Sequence, residues 1–307
     1  MRFLVAAILL MIAMIPQPAF AWGAAGHSII AELAQRHLSP QALAALKQLM
    51  AGKGRPESGE VALASLASWA DGYKNTPEGK FTYIWHYINL DIRQKDYDST
   101  ACEDRGVKEC LVTAIPFEIA ILKDKSKSKA ERRQALFLLV HLVGDLVQPL
   151  HVAKRGDNLG GNLLTVHLKA KRPHDGPVLN QLTNLHALWD ETLIDLHVYD
   201  WGSYADEIDA RPLPDVEPGP YDAARIIAWA NDTHCQGIEA YRLLDATLPK
   251  ADDCAALTDP KVPGVNDPAS PIDLNNAYTD PATEILTQQL AKGGARLHAI
   301  LEDALAN

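Results

Sequence analysis

The stretch "LFLLVHLVGDLVQPLH", residues 136–151, constrains the fold more than any other. Its apolar residues recur at intervals of three and four, as on a buried helix, yet a histidine and an aspartate sit in its middle. His141 and Asp145 are four apart, hence one turn apart on one face. Surrounded by Leu and Val, they must find their partners inside the protein, and a single pair of this kind is ordinarily a hydrogen-bonded core pair. Pro149 lacks a backbone N–H and clashes with the preceding turn, so the helix is expected to kink or end near it, turning His151 towards the same place.

The spacing returns in "HALWD", where His186 and Asp190 again share a face within apolar surroundings. Two such pairs shift the balance from core pairing towards metal ligation. Asp71 in "LASWADGY" and His86 in "YIWHYINLD" interrupt apolar segments in the same way, each alone reading more simply as a helix-end or turn residue, and His27 in "AFAWGAAGH" completes the set. Together these eight residues form a mixed imidazole and carboxylate set that suits zinc, and they exceed the four ligands a single zinc takes, so a multinuclear site is expected. His37, His167, His174, His197, His234 and His298 have no comparable context and are expected at the surface or in the core.

Helical periodicity dominates elsewhere, in "HSIIAELAQRHL", "VALASLASWADGY", "LTNLHALWDETLIDLH" and "EILTQQLAKGGARLHAILEDAL". Strand-like alternation is confined to "NLLTVHLKA", after the turn-forming "RGDNLGG", so the expected fold is all-α with at most a small β-hairpin. The Pro- and Gly-rich stretches "RPLPDVEPGP" and "TDPKVPGVNDPASP" read as surface connections. Residues 1–21 carry the grammar of a signal peptide, with Arg2, an apolar run too short to span a bilayer, and "PQPAFA" before the expected cleavage after Ala21. No linker or repeat divides the remainder, so residues 22–307 are expected to form one domain.

The formal charge is −10 for the whole chain. An acidic protein without a basic stripe does not bind polyanions by counterion release, so a phosphate-ester substrate would need positive charge from bound cations. Cys102, Cys110, Cys235 and Cys254 in an exported protein read as disulfides. Three pairings are possible, and loop closure favours the most local, Cys102 with Cys110 and Cys235 with Cys254.

Several of these segments recur together elsewhere. "WGAAGH", "ASWADGYKNTPEGK", "WHYIN", "LVHLVGDLVQPLH", "GGN", "NLHALWD" and "AKGGARL" occur in the order and spacing of the secreted zinc-dependent single-strand nucleases of the S1/P1 type, which the mature chain resembles over nearly its whole length. The resemblance implies a helical trinuclear-zinc phosphodiesterase. It implies that Trp22, as the new N-terminus, chelates one zinc through its α-amine and carbonyl together with His27. Asp145 would bridge that zinc to a second, also bound by Asp71, His86 and His141. His151, His186 and Asp190 would hold the third. Implied activities are hydrolysis of single-stranded DNA and RNA to 5′-phosphorylated products and removal of 3′-phosphates from nucleotides, with Asp71 and Asp145 as the catalytic carboxylates around an attacking water.

Substrate contacts carry over less evenly. Tyr87 matches the family's base-stacking position. Asn89 stands where some members have an Asp, and an amide both donates and accepts where a carboxylate only accepts. Lys74 replaces an Arg that clamps phosphate, keeping the charge and losing the bidentate fork; its plain alternative is a solvated lysine. Asn162 in "GGN" is expected to line the cleft or to serve the turn. The rival readings are a zinc-dependent phospholipase C acting on phospholipid head groups, whose last ligand is a Glu where this chain has Asp190, and a non-catalytic helical binding protein. A monomer without stable membrane association, periplasmic or extracellular, is expected.

Overall fold

The computed structural model describes residues 22–51, 62–104, 106–173, 176–197, 200–245, 254 and 264–306. The expected signal peptide lies outside the described residues. Its architecture is mainly helical, and the helix Lys129–Val147 runs through its centre. Ser128 caps that helix by accepting from Glu131 N while the Glu131 carboxylate accepts from Ser128 N, a reciprocal arrangement that satisfies two otherwise orphaned donors. Its first turns are polar and partly exposed, but every residue from Leu138 to Val147 is buried. A helix apolar on all sides belongs in a core, and this one is enclosed by the helices Ala24–His37, Leu111–Lys123, Ala223–Arg242 and Asn276–Leu305.

The helix ends at Val147, as Pro149 requires, and Pro149 opens the short helix Pro149–Val152. At that first position its missing N–H is no loss. Gln148 caps the new turn through a bond from Leu150 N. The change of direction swings His151 back beside His86, and Ile88 N donates to His151 O at 2.7 Å. The residues just beyond each histidine then pair in parallel, Leu90 with Ala153 and Asp91 with Lys154.

The expected hairpin is present as Thr165–Lys171 antiparallel to Val178–Asn184, with Thr165 opposite Asn184. A third strand, Ile272–Leu274, lies parallel to the first of these, so the hairpin is part of a three-stranded sheet. Two segments expected to be continuous helices are interrupted. "VALASLASWADGY" folds as the 3-10 turn Leu63–Leu66 followed by the helix Trp69–Tyr73. "LTNLHALWDETLIDLH" begins as the end of the strand Val178–Asn184, passes through the turn Leu185–Ala187, widens to a π turn at Leu188–Thr192 and closes as Leu193–His197. Asn184 makes the strand-to-helix corner by accepting from Ala187 N at 2.8 Å. Both expected disulfides are formed, Cys102–Cys110 and Cys235–Cys254. None of the described helices is long and apolar enough to cross a membrane.

Candidate metal centre

All eight imidazoles and carboxylates singled out in the sequence are buried, and they converge from five segments of chain. Asp145 stands at the middle. Its Oδ2 lies 2.9 Å from His86 Nδ1 and 3.3 Å from His141 Nε2, and its Oδ1 lies 3.5 Å from His27 Nε2 and 3.4 Å from His151 Nδ1. None of these approaches has hydrogen-bond geometry, so both carboxylate oxygens, both ring nitrogens of His27 and Nε2 of His86 are buried without a hydrogen-bond partner. Native proteins seldom leave buried polar atoms unpaired, because each costs a desolvation penalty of about 1–3 kcal/mol or more. So many bare donor atoms around one point fit cations in their midst.

The other histidines are aimed by backbone carbonyls. His141 Nδ1 donates to Ala67 O at 2.7 Å, His151 Nδ1 to His86 O at 2.7 Å and His186 Nδ1 to Gly160 O at 2.8 Å. Each bond places the ring proton on Nδ1 and leaves the Nε2 lone pair facing inward, the arrangement that orients histidine ligands at metals. The Nε2 atoms of His151 and His186 then face each other at 3.2 Å, with Asp190 Oδ2 3.3 Å from His186 Nε2. Two imidazole lone pairs at that distance repel unless a proton or a cation lies between them.

Among the described residues three groups of donors lie close enough to hold metal ions: His27, Asp71 and His141; His86, His141 and Asp145; and His151, His186 and Asp190, with the atoms of each group within 4.8 Å of one another. Trp22 is fully buried beside them. Its indole N–H donates to Gly144 O at 2.8 Å and Gly23 N donates to Asp190 O at 2.8 Å, so the segment at Trp22 spans both ends of the centre. Gly144 is required here for space, since a Cβ on it would stand 2.5 Å from His27 Nδ1.

The electrostatics differ from group to group. Burial pulls His27 and His86 down to about 4 and, aided by the charge of His151, His186 down to about 3. Burial acts on His141 too, but the charges of Asp145 and Asp71 outweigh it and raise the ring to about 10, so without a cation Nε2 keeps a proton, which a metal ion bound there would replace. Burial would raise Asp145, yet His141 and His151 hold it well below the usual carboxylate range. Asp190 is pushed well above that range by burial, which the amide bond from Gln148 does not offset.

Of the expected substrate residues, Lys74 touches the centre, Tyr87 and Asn89 follow its His86 in the chain, and Asn162 comes two residues after Gly160, whose carbonyl aims His186. Lys74 is buried with Nζ 2.5 Å from Asp71 Oδ1, so it is an inward ion-pair partner and not a solvated lysine. Tyr87 and Asn89 are half-buried just after His86, with Asn89 N bonded to Ala101 O. Asn162 is half-buried and its amide donates to Leu159 O within its own turn at 2.8 Å. His37, His167, His197 and His234 bond to Asp209, Asp273, Glu207 and Gln94 away from the centre, as expected. His174 lies outside the described residues. Sequence reasoning missed Gln148, whose fully buried amide joins Asp190 to the turn that carries His151. The only sequence signal for it was an amide standing between an apolar helix and a proline.

Fold and site define a class: a mainly helical domain enclosing a buried nest of imidazole and carboxylate donors fit for divalent cations. A family profile described as S1/P1 Nuclease matches residues 22–306, and the chain belongs to that family. It is 30% identical to Nuclease P1 of Penicillium citrinum over 286 residues, covering 90% of this chain and 95% of that protein. It is 31% identical to Endonuclease 2 of Arabidopsis thaliana over 293 residues, with 91% and 89% covered. With Nuclease S1 of Aspergillus oryzae the identity is 27% over 303 residues, with 93% and 92% covered.

Proposed function

We propose that this chain is a zinc-dependent endonuclease that hydrolyses phosphodiester bonds of single-stranded DNA and RNA, leaves 5′-phosphorylated products and also removes 3′-phosphates from nucleotides. The observation that carries the reading is the set of buried donor atoms around Asp145 that have no hydrogen-bond partner. Every relative named above is a nuclease, which favours nucleic acid over phospholipid as substrate.

The proposed complement is three zinc ions. One is held by the Trp22 α-amine and carbonyl with His27 and Asp145, one by Asp71, His86, His141 and Asp145, and one by His151, His186 and Asp190. Zinc so bound supplies Lewis acidity to the phosphate, a lowered pKa to the attacking water, and the positive charge that an acidic chain lacks. Asp145 suits a shared role because its two oxygens face different imidazole pairs. Asp71 orients the water, and Lys74, already drawn to Asp71, offers its ammonium to a phosphate oxygen. Tyr87 stacks a base, Asn89 reads its edge, and Asn162 lines the cleft. A base offers its faces to such a platform only when it leaves the duplex, and single-strand preference follows.

Export is part of the proposal, to the periplasm or the medium, as a monomer freed of residues 1–21. Two disulfides and the leader grammar support it. The α-amine of Trp22 becomes a ligand only after cleavage. The test sets single-stranded DNA and a 3′-mononucleotide against a phosphatidylcholine emulsion, each with and without chelator. Chelator-sensitive hydrolysis of the first two alone is expected. Hydrolysis of the emulsion alone, or unchanged rates after prolonged chelation, would overturn the reading.

A further inference from the structure

Residues Lys80–His86 form a 3-10 turn that ends at the metal centre. In such a turn residues three apart eclipse one another, so Tyr83 lies one turn from His86 on the same side, while Thr82 and Trp85 turn into the protein and are buried. Tyr83 is 47% exposed, a large ring left in water three residues before the centre's His86. Phe81, exposed on the same turn, packs edge-to-face on Trp85, with centroids 5.2 Å apart. Tyr83 instead meets Tyr87, with centroids 6.4 Å apart and ring planes at 81°.

We propose that Tyr83 is a second base-stacking position, which holds the nucleotide next to the one held by Tyr87. The inference rests on the reading of Tyr87 as a base platform. Two aromatic faces at a right angle make a corner. Consecutive bases stacked on them cannot also be stacked on each other, so the strand must turn and unstack as it enters. A single strand turns at small cost, whereas a duplex must first break its pairs. Tyr83 therefore adds affinity for chains longer than one nucleotide and sharpens the preference for single strands, and it does nothing for a mononucleotide, which has one base to place.

The test compares Tyr83→Ala, Tyr83→Trp and Tyr87→Ala on a 3′-mononucleotide and on a single-stranded tetranucleotide, with melting curves to show that each variant is folded. One lost base stack is worth about tenfold or more in affinity. Tyr83→Ala is therefore expected to raise KM for the tetranucleotide about tenfold, leave kcat within twofold and leave the mononucleotide unchanged, and Tyr83→Trp is expected to restore the loss. Equal losses on both substrates would overturn the proposal, because Tyr83 would then act only by propping Tyr87. No loss on either would overturn it as well. Tyr87→Ala is expected to weaken both substrates. If it weakens neither, the platform reading fails by itself, whatever Tyr83→Ala shows.

Discussion

Asp145 and Asp190 each follow a histidine by four residues, and each is buried at the heart of the centre, yet they sit in opposite electrical environments. Asp145 belongs to the regular helix Lys129–Val147 and has imidazoles within 3.5 Å of both oxygens, which hold it ionised. Asp190 lies in a π turn and has the neutral amide of Gln148 on one oxygen and His186 Nε2 3.3 Å from the other, but that ring is itself pushed down to about 3 and carries no charge to oppose the burial that favours the neutral form of Asp190. The identical spacing delivers identical reach. What surrounds the carboxylate decides its charge and therefore how the site responds when it is disturbed.

The comparison breaks most severely at Asp145. An amide bridges two cations poorly, so Asp145→Asn is expected to lower kcat on single-stranded DNA by about 10³-fold, the scale on which a positioned electrostatic stabiliser acts. A variant keeping half the wild-type rate would remove Asp145 from the shared position. The Asp190 side is expected to yield more gently when its supports are changed. Gly160 has φ +62°, and a Cβ there would collide with Leu150 O, next to His151, and crowd His186 Nδ1 at 3.2 Å. Gly160→Ala is expected to strain the turn whose carbonyl aims His186, weakening zinc at that group alone by about 10- to 100-fold, as outer-shell changes do. Zinc titration of the variant checks this, and an equal weakening of all sites would show that the two sides do not respond separately.

A buried carboxylate outside the centre sharpens the contrast further. Glu118, in the helix Leu111–Lys123, is raised by burial to about 7, with no imidazole to oppose the shift. Its cost is absent below the ordinary carboxylate range, grows between about pH 4.5 and 7, and levels off above that at about 3 kcal/mol. Glu118→Gln is neutral throughout. The variant is expected to gain several degrees in Tm on the wild type between pH 5 and pH 8, and parallel Tm profiles would contradict the shift.

The sequence made the ligands legible because helical spacing is a property of side chains. His141 with Asp145 and His186 with Asp190 could be placed on shared faces before any fold was known, and the second pair keeps its reach even though Leu188–Thr192 is wound as a π turn. The partners that aim the rings were hidden for a physical reason. Ala67 O, His86 O and Gly160 O are main-chain atoms, which carry no residue signature, and they lie at turns or element ends. The strand Ile272–Leu274 was equally hidden, since a parallel partner three residues long and about a hundred residues away leaves no local pattern. Lys74 was visible as a cation and not as the ion-pair partner of Asp71.

The most direct test of the account is elemental analysis of zinc bound per chain in protein that begins at Trp22, measured for the wild type, Asp190→Asn and Asp145→Asn. Three zinc ions are predicted for the wild type, two for Asp190→Asn because only its own group is lost, and one for Asp145→Asn because both sites that share it empty together. Equal zinc content in all three proteins, or a wild type that holds none and still cleaves single-stranded DNA, would contradict it.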